Sequence, residues 1–335
     1  MIDDKLQIIL ITYNRQEHLR KTFEQILCDT SPIKNFDILI LDNNSNDKTK
    51  DVADDFARNH PKIKYQKNKY NLGISGNIAK AMEMADKEYF WIICDDDKYD
   101  FSNWPEVETA VNNGEDAICV ARYAIEDQHR NDIAYQLLQM TFVPAIILKT
   151  SVLNDTVMRN AFDNIYTLFP HICPIVQLVN QNKSVYTVNK AIVSNGMNIT
   201  STEYSYTRGL KFDDLYQRTK TMIWIVGYAN ICSAIKDKDL KHRVINIAIS
   251  YKGTCGGFKA LYRLINSVYL DQENWMHIVD LYLQLDDEGR KGIAKFIPFR
   301  MNRKITKAER KERSWKQKLS KSFKRIKKRI KGNNE

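Results

Sequence analysis

Short apolar runs alternate with amphipathic stretches over the first hundred residues. An apolar run of four to seven residues has the length of a buried strand, and apolar positions recurring every three or four residues predict helices between the runs. Strands that alternate with helices of this length predict a mostly parallel sheet with right-handed crossovers. The predicted strands are 7–12, 36–41, 63–66 and 89–94. Of the three helices between them, the first follows residue 12, the second runs to about residue 59, and the third covers 71–85.

Each predicted strand ends in polar residues. In parallel sheets, ligands bind beyond the carboxyl ends of the strands, so these residues would share one edge. Asparagine and aspartate are also common in turns, which makes each cluster weak evidence by itself. Their coincidence on one edge predicts a binding site. The clusters are Thr12-Tyr13-Asn14-Arg15, Asp42-Asn43-Asn44-Ser45, Asn68 with Asn71-Leu72-Gly73, and Asp95-Asp96-Asp97.

The last cluster is three adjacent carboxylates that directly follow a fully apolar strand. An unpaired buried carboxylate is very costly, so the three must emerge at the strand's exit. Two interpretations fit: a solvated acidic turn, or a site for a divalent cation, since carboxylate oxygens suit Mg²⁺ and Mn²⁺.

The pattern changes along the rest of the chain. Apolar segments at 117–125, 142–148 and 184–193 predict further strands between short helices. From about residue 203 the spacing is helical, over 215–234, 240–251, 258–270 and 275–285. We therefore predict a sheet domain over 1–200, a helical C-terminal subdomain over 201–299 and a tail over 300–335.

Composition narrows the class of protein. Six scattered cysteines form no C-x-x-C pair and lie beside no histidine cluster, which argues against structural zinc and a disulfide framework. Acidic residues near the N-terminus do not fit a signal peptide, and no apolar run has the length of a membrane span. The sequence predicts a cytoplasmic protein that is not integral to a membrane.

The net charge of +10 is concentrated in the tail. Residues 300–335 hold 16 Lys and Arg against 3 Glu, whereas residues 1–299 hold 35 basic and 38 acidic residues. The body therefore gives no reason to expect nucleic acid as a partner.

Within the tail, Trp315, Leu319, Phe323, Ile326 and Ile330 form one helical stripe between basic residues. This basic amphipathic helix predicts binding to an anionic membrane surface, or to a calmodulin-like groove. A disordered solubilising tail would not need the stripe, and neither would a nucleic-acid tail.

The strand-end clusters, in this order and spacing, resemble family 2 glycosyltransferases. The similarity covers roughly residues 6–195 and implies the GT-A fold, which is an α/β, Rossmann-like, mostly parallel sheet flanked by helices. It also implies a nucleotide-sugar donor, inversion at the sugar, and Mg²⁺ or Mn²⁺ as the cofactor.

The resemblance implies roles for particular residues. Thr12, Tyr13 and Asp42 would hold the nucleotide base, and Asn44 and Asn71 would line the nucleotide pocket. Asp95 would face the ribose and Asp97 would bind the cation. Asn14, Gly73 and Asp96 belong to the same donor-binding clusters, and Asp95 is a second candidate ligand of the cation.

The general base departs from the family pattern. Family members usually supply an acidic residue, often in a Glu-Asp pair, and no such pair occurs between Ala145 and Ser194. Asp163 and His171 are the available groups, and the chemistry of a carboxylate favours Asp163. Both also have structural interpretations, as a loop residue and as a helix cap.

The resulting hypothesis is an inverting, metal-dependent glycosyltransferase of the hexosyltransferase type. Its donor would be a UDP-sugar and its acceptor a hydroxyl of a lipid-linked or glycan molecule in cell-surface polysaccharide biosynthesis. The tail would attach it peripherally to the inner face of the membrane. The alternatives are a non-catalytic, membrane-tethered nucleotide-sugar-binding protein and a nucleotidyltransferase, although the latter usually needs a glycine-rich loop that TYNRQEHLRK lacks.

Overall fold

A seven-stranded sheet organises the part of the chain that the computed structural model describes, which is residues 2–122, 125–196 and 227–250. The strand order is β3-β2-β1-β4-β7-β6-β8, and β5 and β9 form a separate antiparallel pair. The strands are β1 Leu6–Thr12, β2 Asp37–Asp42, β3 Ile63–Lys67, β4 Tyr89–Cys94, β5 Lys98–Tyr99, β6 Ala117–Cys119, β7 Ile146–Lys149, β8 Tyr186–Thr187 and β9 Val193–Ser194.

Helices connect these strands. Each of the first three parallel strands is followed by a helix with an apolar face, as the spacing predicts. The helices are α1 Ile2–Lys5, α2 Gln16–Ile26, α3 Thr49–Asn59, α4 Gly73–Glu83, α5 Trp104–Asn112, α6 Ile133–Gln139, α7 Asp155–Asp163 and α8 Cys173–Asn180, with a further helix at Lys238–Ser250.

The core follows from the continuous apolar runs. Every residue of β1 is buried, and β4 buries Tyr89 to Ile93. A strand buried along its whole length needs cover on both faces, which helices on a parallel sheet provide. The prediction of a mostly parallel α/β sheet is therefore confirmed.

The strands of the second half are shorter than the apolar segments that predict them. Pro144 lies in a 3-10 turn, Val143–Ala145, so only Ile146–Lys149 of its segment pairs as a strand. Proline lacks the N–H that a sheet ladder requires. This strand, β7, runs antiparallel to both neighbours, β4 and β6, and the apolar pattern alone does not reveal that reversal.

The register brings the strand ends to one level. Thr12 pairs with Asp42 across β1 and β2, and Ile11 pairs with Cys94 across β1 and β4. Single hydrogen bonds continue past the strands, from Asn43 N to Thr12 O (2.9 Å) and from Asn68 N to Asp42 O (2.8 Å). The polar clusters after these strands therefore share the carboxyl edge of the sheet.

The described residues include one part, 227–250, of the predicted C-terminal subdomain. Residues 227–232 and Lys238–Ser250 are helical, in agreement with the helical spacing predicted there. The chain divides into two compact units, Met1–Ala248 and Ile249–Glu335. The remaining predicted helices and the basic tail lie outside the described residues. Within the described ranges, no helix has the length and apolar character needed to cross a membrane.

Candidate functional site

A cavity of about 370 Å³ opens at the carboxyl edge of the sheet. Its walls come from the ends of β1 and β4, the start of α4 and a segment before β7. The lining residues are Ile11, Thr12, Tyr13, Arg15, Asn43, Ile74, Asn77, Cys94, Asp95, Asp96, Asp97, Thr141, Phe142, Val143, Pro144 and Asn195.

Asp95 is buried in the wall of this cavity and has both carboxylate oxygens engaged. Thr12 Oγ1 donates to Oδ2 at 2.6 Å, and the Arg15 guanidinium donates to Oδ1 at 2.9 Å. Burial raises the pKa of Asp95 to about 6, against the opposing effect of the Arg15 charge. Asp95 is thus an internally paired carboxylate, although the sequence predicted it as a second ligand of the cation.

Asp97 has a different environment. It is 2% exposed, and its Oδ2 has no hydrogen-bond partner among the described residues. Burial, followed by the charges of Asp96 and Asp95, raises the pKa of Asp97 to about 8, while the Gly196 backbone N–H opposes that rise. A buried, unpaired carboxylate oxygen is costly, and a bound cation would relieve that cost.

The residues present fit a hard divalent cation. Single ligand atoms of Cys94, Asp96 and Asp97 lie within 4.8 Å of one another. Burial raises the pKa of the Cys94 thiol well above its usual range, so the thiol stays protonated and is a poor ligand. Mg²⁺ typically binds through one or two carboxylates, which Asp96 and Asp97 would supply. This set differs from the predicted pair of Asp97 and Asp95.

Asp42 is fully buried beneath the edge and is not among the residues that line the cavity. Its Oδ1 accepts from the N–H and the hydroxyl of Ser45, at 2.8 and 2.6 Å, and its Oδ2 accepts from the Tyr65 hydroxyl at 2.5 Å. Asp42 therefore holds the loop after β2. Its predicted contact with a nucleotide base stays a prediction.

Asn43 connects the loops after β2 and β3. Its Nδ2 donates to Asn71 Oδ1 at 2.8 Å and to Gly73 O at 3.1 Å, while its Oδ1 accepts from Leu72 N at 2.9 Å. Gly73 has φ +70, which an L-residue rarely adopts, so a glycine suits this turn. Asn71 and Gly73 build the turn that starts α4, and neither lines the cavity.

Two asparagines with left-handed backbone shape the neighbouring loops. Asn14 has φ 52 and Asn44 has φ 72, a conformation that asparagine tolerates better than most residues. Asn14 is fixed from the loop after β2, because its N–H donates to Ser45 Oγ at 2.8 Å and its Oδ1 accepts from Asn46 N at 2.7 Å. Neither Asn14 nor Asn44 is among the lining residues.

The two candidate bases lie in contrasting places. Asp163 is the last residue of α7, is exposed, and does not line the cavity. His171 is 3% exposed, in the turn Pro170–Ile172, and its ring lies beside the backbone of Met140 and Thr141. Burial lowers the pKa of His171 to about 4, so the ring is neutral near pH 7.

Of the predicted site residues, the structure brings Thr12, Tyr13, Asp95, Asp96 and Asp97 together around the cavity. Sequence reasoning missed Arg15 as their partner, although a cation at a strand end opposite three carboxylates was a usable signal. It also missed the lining segment 141–144, which carries no polar signature and enters the site only through the reversed strand β7.

We expect Asp97→Asn to raise the melting temperature of the metal-free protein. The folded-state pKa of Asp97 is raised from 3.8 to about 8, so the folded protein retains this proton while the unfolded chain releases it. That contribution to stability is present at acid pH and is lost as the pH rises to about 8. In thermal melts with a chelator present, the increase in melting temperature caused by Asp97→Asn should therefore grow from pH 5 to pH 8 and then level off.

The exposed Asp51→Asn is the matched control for this measurement, because an exposed carboxylate has no burial penalty to relieve. A difference in melting temperature between the wild type and Asp97→Asn that does not change with pH would contradict the raised pKa of Asp97.

The chain is similar to known proteins in sequence. The family model for glycosyl transferase family 2 matches residues 7–179. A GalNAc(5)-diNAcBac-PP-undecaprenol beta-1,3-glucosyltransferase of Campylobacter jejuni is 34% identical over 95 residues, 28% of this chain and 30% of that protein. The abequosyltransferase RfbV of Salmonella typhimurium is 33% identical over 87 residues, 26% of each chain. The chain thus matches less than a third of the length of these relatives.

Solved structures share the fold. Staphylococcus aureus TarS 1-349, in complex with UDP-GlcNAc, superposes with a TM-score of 0.57 at 13% identity, covering 92% of each chain. The mannosyltransferase PcManGT of Pyrobaculum calidifontis, in complex with GDP-Man and Mn²⁺, gives a TM-score of 0.51 at 12% identity, covering 87% of this chain and 84% of that one. The predicted GT-A fold is therefore confirmed, and with the family model matching over half of its residues, this chain belongs to glycosyl transferase family 2.

Proposed function

We propose that the protein is an inverting glycosyltransferase that moves a sugar from a nucleotide-sugar donor, with a UDP-sugar as the first candidate, to a hydroxyl of a lipid-linked glycan. One observation carries the proposal: a cavity at the carboxyl edge contains three carboxylates, and one of them is buried with an unpartnered oxygen. Membership of family 2 and the ligands named for TarS and PcManGT support a nucleotide-sugar as the ligand of this cavity.

In this proposal Asp96 and Asp97 hold Mg²⁺ or Mn²⁺, and Asp95, paired to Thr12 and Arg15, forms the wall beside them. When bound, the cation supplies positive charge to the diphosphate, on which negative charge grows as the sugar departs. Thr12 and Tyr13 line the cavity beside the carboxylates and would contact the nucleoside. Asp42 keeps the loop after β2 in place. It would contact the nucleotide base only if one of its carboxylate oxygens accepted a further hydrogen bond.

Deprotonation of the acceptor hydroxyl needs a base. Neither candidate lines the cavity, but the His171 ring lies beside Thr141, which does, and this placement favours His171 over Asp163. Asp163 is exposed and outside the cavity lining. The enclosure of His171 also favours a second candidate function, a non-catalytic nucleotide-sugar-binding protein, in which neither group acts as a base.

The acceptor proposal rests on relatives and on one surface of this chain. The Campylobacter relative is named for an undecaprenol-linked substrate, and another, from Pyrococcus furiosus, 25% identical over 119 residues, is a dolichol-phosphate mannosyltransferase. The exposed large apolar side chains of the described residues all lie in or next to α4 and α7 in the sequence. They are Tyr70, Leu72, Phe162, Ile165 and Tyr166.

We infer from the strand directions that these side chains lie on the cavity side of the sheet. β7 ends at Lys149, opposite Tyr89 at the amino end of β4, so a helix that returns from there, as we infer for α7, would run toward the carboxyl edge. α4 begins at that edge and packs against α7 and the turn Ile165–Thr167. An apolar surface beside the donor cavity suits an acceptor whose sugar is carried on a hydrocarbon chain. Such an acceptor serves the assembly of cell-surface polysaccharide.

The membrane proposal belongs to the tail. Residues 300–335 combine 16 basic side chains with an apolar stripe, so they would bind an anionic bilayer on its cytoplasmic face. The protein would then work as a peripheral membrane enzyme on a membrane-held acceptor.

A panel of nucleotide sugars with Mn²⁺ tests the activity. We expect the wild type to release nucleoside diphosphate from one donor and to lose that release in a chelator. Asp97→Ala should abolish it while leaving the melting profile cooperative, because Asp97 is a strand-end carboxylate and not an apolar core contact. Tight nucleotide-sugar binding without release or transfer to a lipid-linked acceptor would instead identify the binding protein.

A second prediction separates the two bases. We expect His171→Asn to lower turnover by about 10²–10⁴-fold with little change in donor affinity, and Asp163→Asn to leave turnover close to that of the wild type. Steady-state rates beside calorimetric donor binding provide both quantities. The reverse order would assign the base to Asp163.

A third prediction concerns the tail. Deleting residues 302–335 should release the protein from anionic vesicles in a sedimentation assay, since the net charge falls from +10 to −2, with 36 basic and 38 acidic residues left. Full-length protein should pellet with anionic vesicles, bind neutral ones poorly and dissociate partly in high salt. Donor hydrolysis by the truncated protein should persist. If the truncated protein still pellets, the membrane contact lies in another part of the chain.

A further inference from the structure

The aspartate triplet has one cationic partner among the described residues, Arg15. One guanidinium nitrogen, Nη1, donates to Asp95 Oδ1 at 2.9 Å and to Asp96 Oδ2 at 2.6 Å. No ion pair of Arg15 with Asp97 occurs within the same described set. Arg15 therefore forms ion pairs with Asp95 and Asp96 and none with Asp97.

Asp96 belongs to two groups at once. It contacts Arg15 through Oδ2, and it also offers a ligand atom to the set with Cys94 and Asp97. A carboxylate that binds a metal through one oxygen and a fixed donor through the other is held in orientation by that donor. The Asp96 side chain is 38% exposed, and Arg15 supplies the one hydrogen bond that it receives from the described residues.

The position of Arg15 is itself determined by the fold. It follows Asn14, whose left-handed backbone is fixed by hydrogen bonds with Ser45 and Asn46 from the loop after β2. A backbone conformation of this kind persists only where the surroundings hold it in place. The turn between β1 and α2 thereby directs the Arg15 side chain across to the end of β4, about 80 residues further along the chain.

We propose that Arg15 is a positioning residue for the cation–diphosphate complex, acting through Asp96. It keeps Asp95 paired within the wall and turns Asp96 toward Asp97, so that two carboxylates are in place before the cation arrives. This inference rests on the proposed function, because it requires that Asp96 and Asp97 bind the cation.

Replacement of Arg15 distinguishes positioning from a simple charge effect, because the two predict changes of opposite sign in Mn²⁺ affinity. If Arg15 were only a nearby positive charge, Arg15→Gln would tighten Mn²⁺ binding by removing repulsion. Positioning predicts weaker binding, by about 10- to 100-fold, the usual effect of losing a residue that orients a metal ligand. Arg15→Lys, which keeps the charge on a more flexible chain, should recover part of the loss.

Titration of Mn²⁺ into full-length protein with saturating UDP, followed by the electron paramagnetic resonance signal of free Mn²⁺, measures this affinity without turnover. Arg58→Gln is the matched control, since Arg58 is exposed on α3 and pairs with Asp55 away from the cavity. Uridine binding should be unchanged in Arg15→Gln, because the nucleoside lacks the diphosphate.

A double-mutant cycle with Asp96→Asn tests the route of the effect. If Arg15 acts through Asp96, Arg15→Gln should cause no further loss of Mn²⁺ affinity in the Asp96→Asn background. Equal losses in both backgrounds, or unchanged or tighter Mn²⁺ binding in Arg15→Gln, would overturn the inference. Failure of the wild type to bind Mn²⁺ with UDP would overturn the proposed metal dependence instead. Should Arg15→Gln fail to fold, Arg15→Lys in the same cycle answers the question.

Discussion

The parallel pairing of β1 with β2 and β4 is the constraint on which the rest of the site depends. Its register sets Thr12 beside Asp42 and Ile11 beside Cys94, so the residues that follow each strand begin at one level. The 2.6 Å hydrogen bond from Thr12 to Asp95 exists only in that register. A slip of one residue would turn each side chain to the opposite face and separate this pair.

Electrostatics then gives neighbouring carboxylates different properties. Thr12 and Arg15 partly offset the burial of Asp95, whose pKa rises to about 6, whereas Asp97 has an unpartnered oxygen among the described residues and a pKa raised to about 8 by burial and by its acidic neighbours. A protein that needed only stability would replace Asp97 by a neutral residue. Retaining a costly carboxylate at a cavity wall is the behaviour expected of a binding site.

Much of the fold was predictable because the signals are local. The strand predicted at 89–94 is observed at Tyr89–Cys94, and the helix predicted to run to about 59 ends at Asn59. A continuous apolar run and the helical spacing of apolar residues are patterns of consecutive residues, so these elements can be predicted without distant contacts. The short strands after residue 117 were less predictable, since Pro144 breaks one apolar segment and strand direction has no sequence signature.

By itself, the sequence determined the alternating strands and helices, the polar residues at the strand ends and the apolar core, because each depends on local burial pattern. Only the tertiary structure decided that Asp95 and Asp96 pair with Arg15, that Asp42 lies beneath the edge, and that Asp163 is exposed while His171 is enclosed. Those outcomes depend on contacts between residues such as Arg15 and Asp95, 80 positions apart. Strand register and the turn at Asn14 set such contacts, and neither follows from the residues taken one stretch at a time.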